Sequence, residues 1–241
     1  MPGSYYIALS GMHARMEALD RLSADLANVN TVGYKAGRTT TTQADRDSFG
    51  VSLQAAIDVT TGPTHIDSRP GVITTTGRDL DVSVDGPGMF TVDTPAGTRY
   101  THDGRFVRRA DGILATAAGM PVLGDTGMPI AVGVDGPVQF EADGTVRSAG
   151  VIVGRLKIAE FNDPGSLARE GPDQFRSDNE QPHAPALAAV RPGALEQSNV
   201  SVPERLVELT NVSRNFATME RALSLLANDI DSRAITELGR R

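Results

Sequence analysis

Hydrophobic residues recur at steps of three and four near both ends of the chain, and this spacing places them on one face of a helix. In the N-terminal segment they are Tyr5, Leu9, Met12, Met16, Leu19, Leu22, Leu26 and Val29. In the C-terminal segment they are Leu206, Leu209, Val212, Phe216, Met219, Leu223, Leu226 and Ile230. We call these sets the N-terminal and C-terminal stripes. They predict two coiled-coil-like terminal helices, within residues 1–35 and 193–241, that form one discontinuous domain.

Local signals indicate where these two helices end and begin. Asn30 and Gly33 follow the first stripe, and both residue types tolerate the left-handed conformation that ends a helix. Ser201, Pro203 and Glu204 form a capping box before the second stripe, because the Ser oxygen and the Glu carboxylate can accept hydrogen bonds from free N–H groups. The second helix is therefore expected to begin just after Ser201 and to continue to Leu238.

The stripes need a packing partner, because burying one Leu or Met side chain is worth about 1.5–3 kcal/mol. Pairing the two helices would bury only one face of each. The step from Leu19 to Leu22 also shortens the repeat, which would overwind a simple two-helix seam. Two matching helices at opposite ends favour self-association with further copies. Packing of amphipathic helices on the chain's own β domain is the alternative.

The middle of the chain alternates polar and apolar positions, as β-strands do. Over residues 79–85, Leu80, Val82 and Val84 share one face, and the acids and Ser83 share the other. Hairpin turns are predicted at Asp85-Gly86, Asp103-Gly104, Asp111-Gly112, Asp135-Gly136 and Asp143-Gly144. Residues 71–192 are thus expected to form a mainly antiparallel β domain, preceded by an extended connector over residues 36–70. Prolines predict a second connector over residues 181–193. The expected fold class is α+β.

Composition narrows the possible functions. The chain has 241 residues, a formal net charge of −7, 5% aromatic residues and no Trp or Cys. Without cysteine it has neither disulfides nor thiol chemistry. The acidic balance and the short basic clusters argue against nucleic-acid binding. No run of about 18 apolar residues predicts a membrane span, and residues 1–6 do not resemble a cleaved signal peptide.

Candidate chemical sites are weak. Asp79, Asp81 and Asp85 lie on one strand face, where their carboxylates could share a metal ion. A solvated strand face, whose charges disfavour pairing of the strand edge with another strand, explains them better. His102 is interpreted as part of a hairpin tip. An enzyme would require His102, Asp103, Asp79 and Asp81 to meet in one pocket. We therefore expect no catalytic site, no metal site and no cofactor. A stand-alone β-rich adhesin or binding module stays open as a non-enzymatic alternative.

Several motifs together resemble a known family. Residues 22–35 read LSADLANVNTVGYK, and they resemble the N-terminal signature of bacterial flagellar basal-body rod and hook proteins. The motif residues there are Asn28, Thr31, Gly33, Tyr34 and Lys35. Residues 79–90 and 100–106 resemble the inner β domain of that family. Residues 193–200, which include Ser198, Asn199 and Val200, resemble its approach to the C-terminal helix. Asp25 departs from the Asn that is commoner in the family, and an acid near a helix C-terminus opposes the helix dipole.

The resemblance implies a structural axial subunit of the flagellar rod, which transmits torque, and not an enzyme. Its partners would be copies of itself, other rod subunits and the flagellar type III export apparatus, which would export it without a cleaved signal to the periplasm-spanning rod. The stripes would form the assembly interface. No nucleic acid, membrane insertion or small-molecule substrate is implied. The short β domain and the sequence Arg214-Asn215-Phe216 resemble proximal-rod members more than distal-rod members.

Overall fold

The computed structural model describes residues 2–39, 64–178, 180–184 and 189–238. Much of the connector predicted over residues 36–70 therefore lies outside the described residues. The chain divides into two compact units. The helical unit comprises Met1–Leu26, Thr39–Thr64 and Ser201–Arg241, and the β unit comprises Ala27–Arg38 and His65–Val200. The β unit thus contains residues 27–35 and 193–200, which the sequence groups with the helices.

The helical unit contains both terminal helices. Helix α1 spans Pro2–Ala27 and helix α2 spans Val202–Leu238. The start of α2 directly after Ser201 agrees with the position of the capping box. At 1.5 Å per residue, α2 is about 55 Å long. None of the described helices is both long and apolar enough to cross a membrane.

The remaining elements are short strands, joined by loops and one 3-10 turn at Pro164–Ser166. In chain order the strands are β1 (Gly37–Thr39), β2 (Thr64–Ile66), β3 (Ile73–Thr75), β4 (Val82–Asp85), β5 (Gly88–Thr94), β6 (Gly97–Thr101), β7 (Phe106–Arg108), β8 (Leu114–Thr116), β9 (Val138–Phe140), β10 (Thr145–Ser148), β11 (Val151–Arg155), β12 (Ile158–Glu160), β13 (Ala168–Arg169), β14 (Phe175–Arg176), β15 (Ala189–Pro192) and β16 (Ala194–Glu196).

These strands form several small sheets. The largest has the order β12-β5-β6-β14-β13, and a second has the order β11-β10-β9. Strands β15 and β4, β16 and β3, and β7 and β8 pair two by two, as do β1 and β2. The pairs in the two larger sheets and in β15–β4, β16–β3 and β7–β8 are antiparallel. The α+β class and the mainly antiparallel β region are therefore confirmed.

Two of the predicted Asp-Gly hairpins are present. Asp111-Gly112 joins β7 to β8, and Asp143-Gly144 joins β9 to β10. Gly112 and Gly144 have φ angles of +78° and +86°, which glycine adopts at little cost. Asp85-Gly86 and Asp135-Gly136 also turn the chain, but neither joins two strands that pair with each other.

The hairpin predicted at Asp103-Gly104 is wrong. Strand β6 before it pairs with β5 and β14, whereas β7 after it pairs with β8. Gly104 serves a different purpose, since a Cβ placed there would lie only 1.6 Å from the Val82 carbonyl oxygen. The glycine therefore allows two backbone segments to approach closely instead of forming a tight turn.

The strand predicted at residues 79–85 is present as β4 (Val82–Asp85), and its polar face is only partly solvated. Val82 and Val84 are buried as predicted, yet Ser83 and Asp81 are only 0% and 4% exposed. Strand β15 pairs with β4 along its edge, so the predicted blunting of edge pairing does not occur. The prediction of a solvated acidic face was wrong for Asp81, whereas Asp79 is exposed and the Asp85 side chain is 45% exposed.

The same pairing corrects the second predicted connector, over residues 181–193. Its last part, Ala189–Pro192, is strand β15, with Val190 opposite Val84. Pro192 is tolerated because it lies at the strand end, where a missing N–H donor is least costly. Residues 179 and 185–188 lie outside the described residues.

Two buried apolar clusters organise the β unit. The larger contains Val82, Val84, Phe90, Val92, Phe106, Leu114, Val122, Ile130, Val132, Val138, Phe140, Val146, Leu156 and Val190. The rings of Phe90 and Phe106 meet edge to face in it, with centroids 5.0 Å apart. The second cluster contains Ile66, Met89, Tyr100, Ala159, Phe161, Leu167 and Phe175.

Candidate functional site

The two motif segments lie side by side inside the β unit, although they are far apart in sequence. Gly33 N donates to the Glu196 carbonyl oxygen at 2.8 Å. Ala36 N donates to Asn199 Oδ1 at 2.7 Å, and Asn199 N donates to the Tyr34 carbonyl oxygen at 3.3 Å. We call this region, formed by residues 28–36 and 194–200 with the groups they contact, the motif junction.

Asn199 also connects the junction to a third segment. Its Nδ2 donates to the carbonyl oxygens of Asp67 and Arg69, at 2.9 and 3.0 Å. One amide side chain thus accepts from Ala36 and donates to two other backbone groups. Aspartate has the same shape but no N–H donors, so it could not make this set of bonds.

The N-terminal motif forms the end of α1 and the turn after it. Thr31 Oγ1 donates to Asn28 Oδ1 at 3.1 Å, and Tyr34 N donates to the Thr31 carbonyl oxygen at 3.2 Å. Gly33 has a φ of +71°, and a Cβ placed on it would lie 2.6 Å from Asp103 N. Conformation and lack of space both require glycine at this position.

Tyr34 packs below this turn. Its ring is 3% exposed and belongs to a small cluster with Ala36 and Val200, against which Val29 packs. The Arg169 guanidinium lies 4.5 Å from the centroid of the Tyr34 ring, a cation–π arrangement. Arg169 Nη2 also donates to the Lys35 carbonyl oxygen.

A buried charged cluster lies at the centre of the motif junction. Lys35 is 2% exposed, and its Nζ lies 2.7 Å from Glu196 Oε1 and 3.1 Å from the Arg69 carbonyl oxygen. Gly71 N donates to the same Glu196 oxygen at 2.7 Å. Glu196 Oε2 lies 3.1 Å from His102 Nδ1, although the angle is poor for a hydrogen bond. The Lys35 ammonium therefore has a carboxylate counter-charge in a buried site.

The cluster determines the protonation of its members. Burial lowers the pKa of His102, and the charge of Lys35 lowers it further against the opposing effect of Glu196. Burial alone would raise the pKa of Glu196, but the contact with His102 and the charge of Lys35 outweigh it and lower that pKa to about 2. At neutral pH His102 is thus neutral and Glu196 carries a negative charge.

Sequence reasoning placed Lys35, Ser198, Asn199 and Val200 in motifs but missed the roles of Glu196 and His102. The interpretation of His102 as part of a hairpin tip was wrong, since its side chain is buried beside Lys35 and Glu196. One signal was available: Lys35 lies in a short, largely apolar stretch, and a lysine there requires a buried partner.

Three of the four residues that an enzyme would have to bring together, His102, Asp103 and Asp79, line separate cavities. His102 borders a small cavity of about 60 Å³ with Lys35, whereas Asp103 borders one of about 360 Å³. Asp79 borders a third, of about 310 Å³. Within the described residues, no group of three or more His, Asp or Glu side chains could hold a metal ion.

In the helical unit, α1 and α2 lie next to each other and run antiparallel. Asp25 Oδ2 is 3.4 Å from Arg205 Nε, and Arg21 Nη2 is 3.9 Å from Glu208 Oε1. Further along, a Cβ placed on Gly11 would lie 2.8 Å from Met219 Cε. In these three pairs, a higher residue number in α1 goes with a lower residue number in α2, so the two helices are antiparallel.

The stripes are only partly buried within the helical unit. Leu22 and Val212 are buried, whereas Met16 and Leu206 are 53% and 48% exposed, and the adjacent Val207 is 63% exposed. The partly buried members are Met12, Leu19, Leu26, Leu209, Phe216 and Met219. The side chains of Tyr5, Leu9, Leu223, Leu226 and Ile230 lie outside the described residues, and Val29 belongs to the β unit.

Comparisons with known proteins agree with these motifs. Residues 6–35 match the family model described as flagella basal body rod protein, and residues 83–151 match the flagellar hook protein FlgE/F/G D1 domain. The chain is 31% identical to the flagellar basal-body rod protein FlgF of Caulobacter vibrioides, covering 100% of this chain and 99% of that one. FlgF of Mesorhizobium japonicum is 30% identical with 99% of each covered, and FlgG of Bacillus subtilis is 30% identical with 92% and 94% covered.

Proposed function

The chain belongs to the flagellar basal-body rod protein family and is a structural subunit of the rod, and we propose that it takes the proximal-rod position of FlgF and assembles through its terminal helices. Its place in the cell is the flagellar basal body, where rod proteins assemble with one another. The observation that carries the assembly mechanism is the exposure of apolar stripe residues on a helical unit that already pairs α1 with α2.

The proposed coiled-coil-like pairing rests on the antiparallel contacts between α1 and α2. Pairing leaves Met16 and Leu206 about half exposed, and Val207 more so. Covering each such side chain would contribute about 1–2 kcal/mol. Neighbouring copies and other rod subunits would supply that cover, so the stripe residues form the proposed assembly interface.

The assignment to FlgF rather than FlgG is supported by three FlgF proteins that align with at least 99% of the chain at 29–31% identity. The FlgG of Bacillus subtilis aligns with 92% of it. FlgG of the distal rod is the second candidate, because its identity of 30% is similar. The FlgF and FlgG assignments both place the chain in the flagellar rod, and they differ only in its position along the rod axis.

The remaining parts of the proposal follow from this role. The flagellar export apparatus would deliver the chain without removing a signal peptide. The β unit would form the outer layer of the rod and the helices its core. The function requires no cofactor, metal, nucleic acid, membrane insertion or small-molecule substrate, and the protein would not act as an enzyme.

Substitution of exposed stripe residues tests the assembly mechanism. Met16→Asp and Leu206→Asp in the full-length chain should leave the unfolding of the isolated protein unchanged, because both side chains already contact water. They should abolish incorporation into basal bodies and motility in a strain that lacks the native gene, because a charge would enter a packed interface. Val134→Asp, also at an exposed apolar position but in the β unit, is the matched control. Normal incorporation of both stripe variants would refute the proposal.

Cross-linking in intact basal bodies tests the axial position. A cysteine at position 207, in a chain that has no other cysteine, can be joined to neighbouring subunits and the products identified by mass spectrometry. Products with proximal-rod proteins support the FlgF position. Products restricted to distal-rod and hook proteins would support FlgG instead.

A further inference from the structure

Residues 194–199 lie as a strand in a groove of the β unit. On one side, β16 pairs with β3, with Leu195 opposite Thr74. On the other side, Gly33 N donates to the Glu196 carbonyl oxygen and Asn199 N to the Tyr34 carbonyl oxygen. The segment is therefore hydrogen-bonded along both edges, as an inserted strand is.

The groove fits this strand closely. Gln197 N donates to the Val72 carbonyl oxygen at 2.9 Å. A Cβ placed on Gly71 would lie 1.9 Å from the Gln197 carbonyl oxygen, so only glycine allows the backbones to approach this closely. Leu195 is 6% exposed and Ala194 is 5% exposed. The segment fills a groove shaped for it.

The groove also has a charge that, among the described residues, the inserted strand balances. The Lys35 side chain lies in it almost fully buried, and the strand supplies Glu196, which contacts Lys35 Nζ with one carboxylate oxygen and approaches His102 with the other. Asp67, from a segment next to the groove, is engaged by Arg69, whose Nη2 lies 2.6 Å from Asp67 Oδ2. A closed groove without Glu196 would leave a buried ammonium without its counter-charge.

We propose that residues 193–200 act as a strand ligand carried by the chain itself, and that the β unit closes only when this strand brings Glu196 to Lys35. Burying an unpaired ammonium is far costlier than leaving it in water, so the closed form is unfavourable before the strand arrives. The neighbouring strand β15 also adds Val190 to the larger apolar cluster. Because Glu196 follows Lys35 by 161 residues, a growing chain would stay open until this strand has been synthesised.

This proposal concerns the β unit alone and does not depend on rod assembly. It assigns to Lys35, Glu196 and His102 a role in coupling residues 28–36 to residues 194–200 during folding. Its distinctive consequence is that opposite charges, and not merely well-packed side chains, connect insertion of the strand to formation of strands elsewhere in the unit.

A charge-balance series in the full-length chain tests the coupling. Glu196→Gln keeps an acceptor for Gly71 N but removes the counter-charge of Lys35. It should raise the unfolding equilibrium constant of the β unit by about 100-fold. The double variant Lys35→Met/Glu196→Gln restores neutrality and should return to within about tenfold of the parent. Glu160→Gln, in the partly exposed strand β12, is the matched control and should change little.

Pulsed hydrogen exchange during refolding of the full-length chain tests whether the strand is inserted at the same time as the rest of the β unit forms. The amides of β5 and β6 should gain protection in the same kinetic phase as those of Gly33 and Gln197. Glu196→Gln should slow that phase, and the double variant should restore it. The proposal is overturned if β5 and β6 become protected in an earlier phase. It is also overturned if the double variant is as unstable as Glu196→Gln.

Discussion

Asp25 Oδ2 lies 3.4 Å from Arg205 Nε in the helical unit, and the Asp25 side chain is only 1% exposed. Arg205 Nη1 also donates to Glu208 Oε2 at 2.7 Å, so the buried carboxylate is the end of a short charged network. An acid this close to the C-terminus of α1 is disfavoured by the helix dipole. The contact with Arg205 explains why it is tolerated, and it joins the two ends of the chain at a defined register.

Removing the Asp25 carboxylate should destabilise the paired helices. We expect Asp25→Ala to lower the free energy of unfolding of the helical unit by about 1–2 kcal/mol, because Arg205 loses a buried partner but keeps its hydrogen bond to Glu208. Asp25→Asn should cost less, since the amide can still accept a hydrogen bond. The measurement is urea unfolding followed by far-ultraviolet circular dichroism, with Asp20→Ala at an exposed position of α1 as the control. Equal losses from Asp20→Ala and Asp25→Ala would contradict the role of the ion pair.

Acid should destabilise the β unit in two steps. The pKa of His102 is lowered in the folded state, so the folded protein binds fewer protons there than the unfolded chain. Stability is therefore complete above the unfolded histidine pKa of about 6.5 and falls with decreasing pH by up to about 1.4 kcal/mol per pH unit. Below the ordinary glutamate pKa, Glu196 adds a second loss that continues down to its folded pKa of about 2.

Urea midpoints of the β unit between pH 7 and pH 5 measure the first step. His102→Gln removes the titrating group while keeping a polar side chain of similar length. Its midpoint should vary less with pH over this interval than that of the parent. An unchanged pH dependence in His102→Gln would show that other groups cause the acid sensitivity.

Gly33 offers a test of the turn that follows α1. Gly33→Ala would force a side chain into left-handed backbone and place its Cβ 2.6 Å from Asp103 N. Gly77 has nearly the same φ, +72°, but open space around it. Gly77→Ala should cost only the conformational strain, about 1 kcal/mol. Gly33→Ala should cost at least about 2 kcal/mol more because backbone must move. Similar urea midpoints for both variants would contradict the close approach.

The helices and two hairpins could be predicted because their signals are local. The stripe spacing, the capping box at Ser201 and the positive-φ glycines at positions 112 and 144 each act within a few residues of the element that they define. The turn at Asp103-Gly104 was mispredicted because the strands on either side do not pair with each other: β6 pairs with β5 before it, and β7 pairs with β8 after it. Asp81 was misplaced because one of its partners is remote, since Gly193, more than 100 residues away in sequence, donates its N–H to the Asp81 carbonyl oxygen.

The centre of the motif junction could not be predicted from local pattern. Lys35 and Glu196 are 161 residues apart, and no periodicity relates them. Motif resemblance identified both flanking segments but gave no reason for their residue types. The structure supplies that reason for Gly33, which requires space and a positive φ, and for Asn199, which bonds three backbone groups.

Two deletions separate the helical unit from the β unit. Residues 27–38 belong to the β unit, so deletion of residues 1–26 should leave that unit folded but unable to enter the rod. Deletion of residues 1–33 also removes Val32, which is buried, and the Gly33 bond to Glu196, and it should lower the stability of the β unit by about 2–4 kcal/mol. Urea unfolding of both truncated chains makes the comparison, and motility assays test assembly. If the two truncations are equally stable, residues 27–33 contribute nothing to the β unit. If the chain without residues 1–26 still supports motility, α1 is not part of the assembly interface.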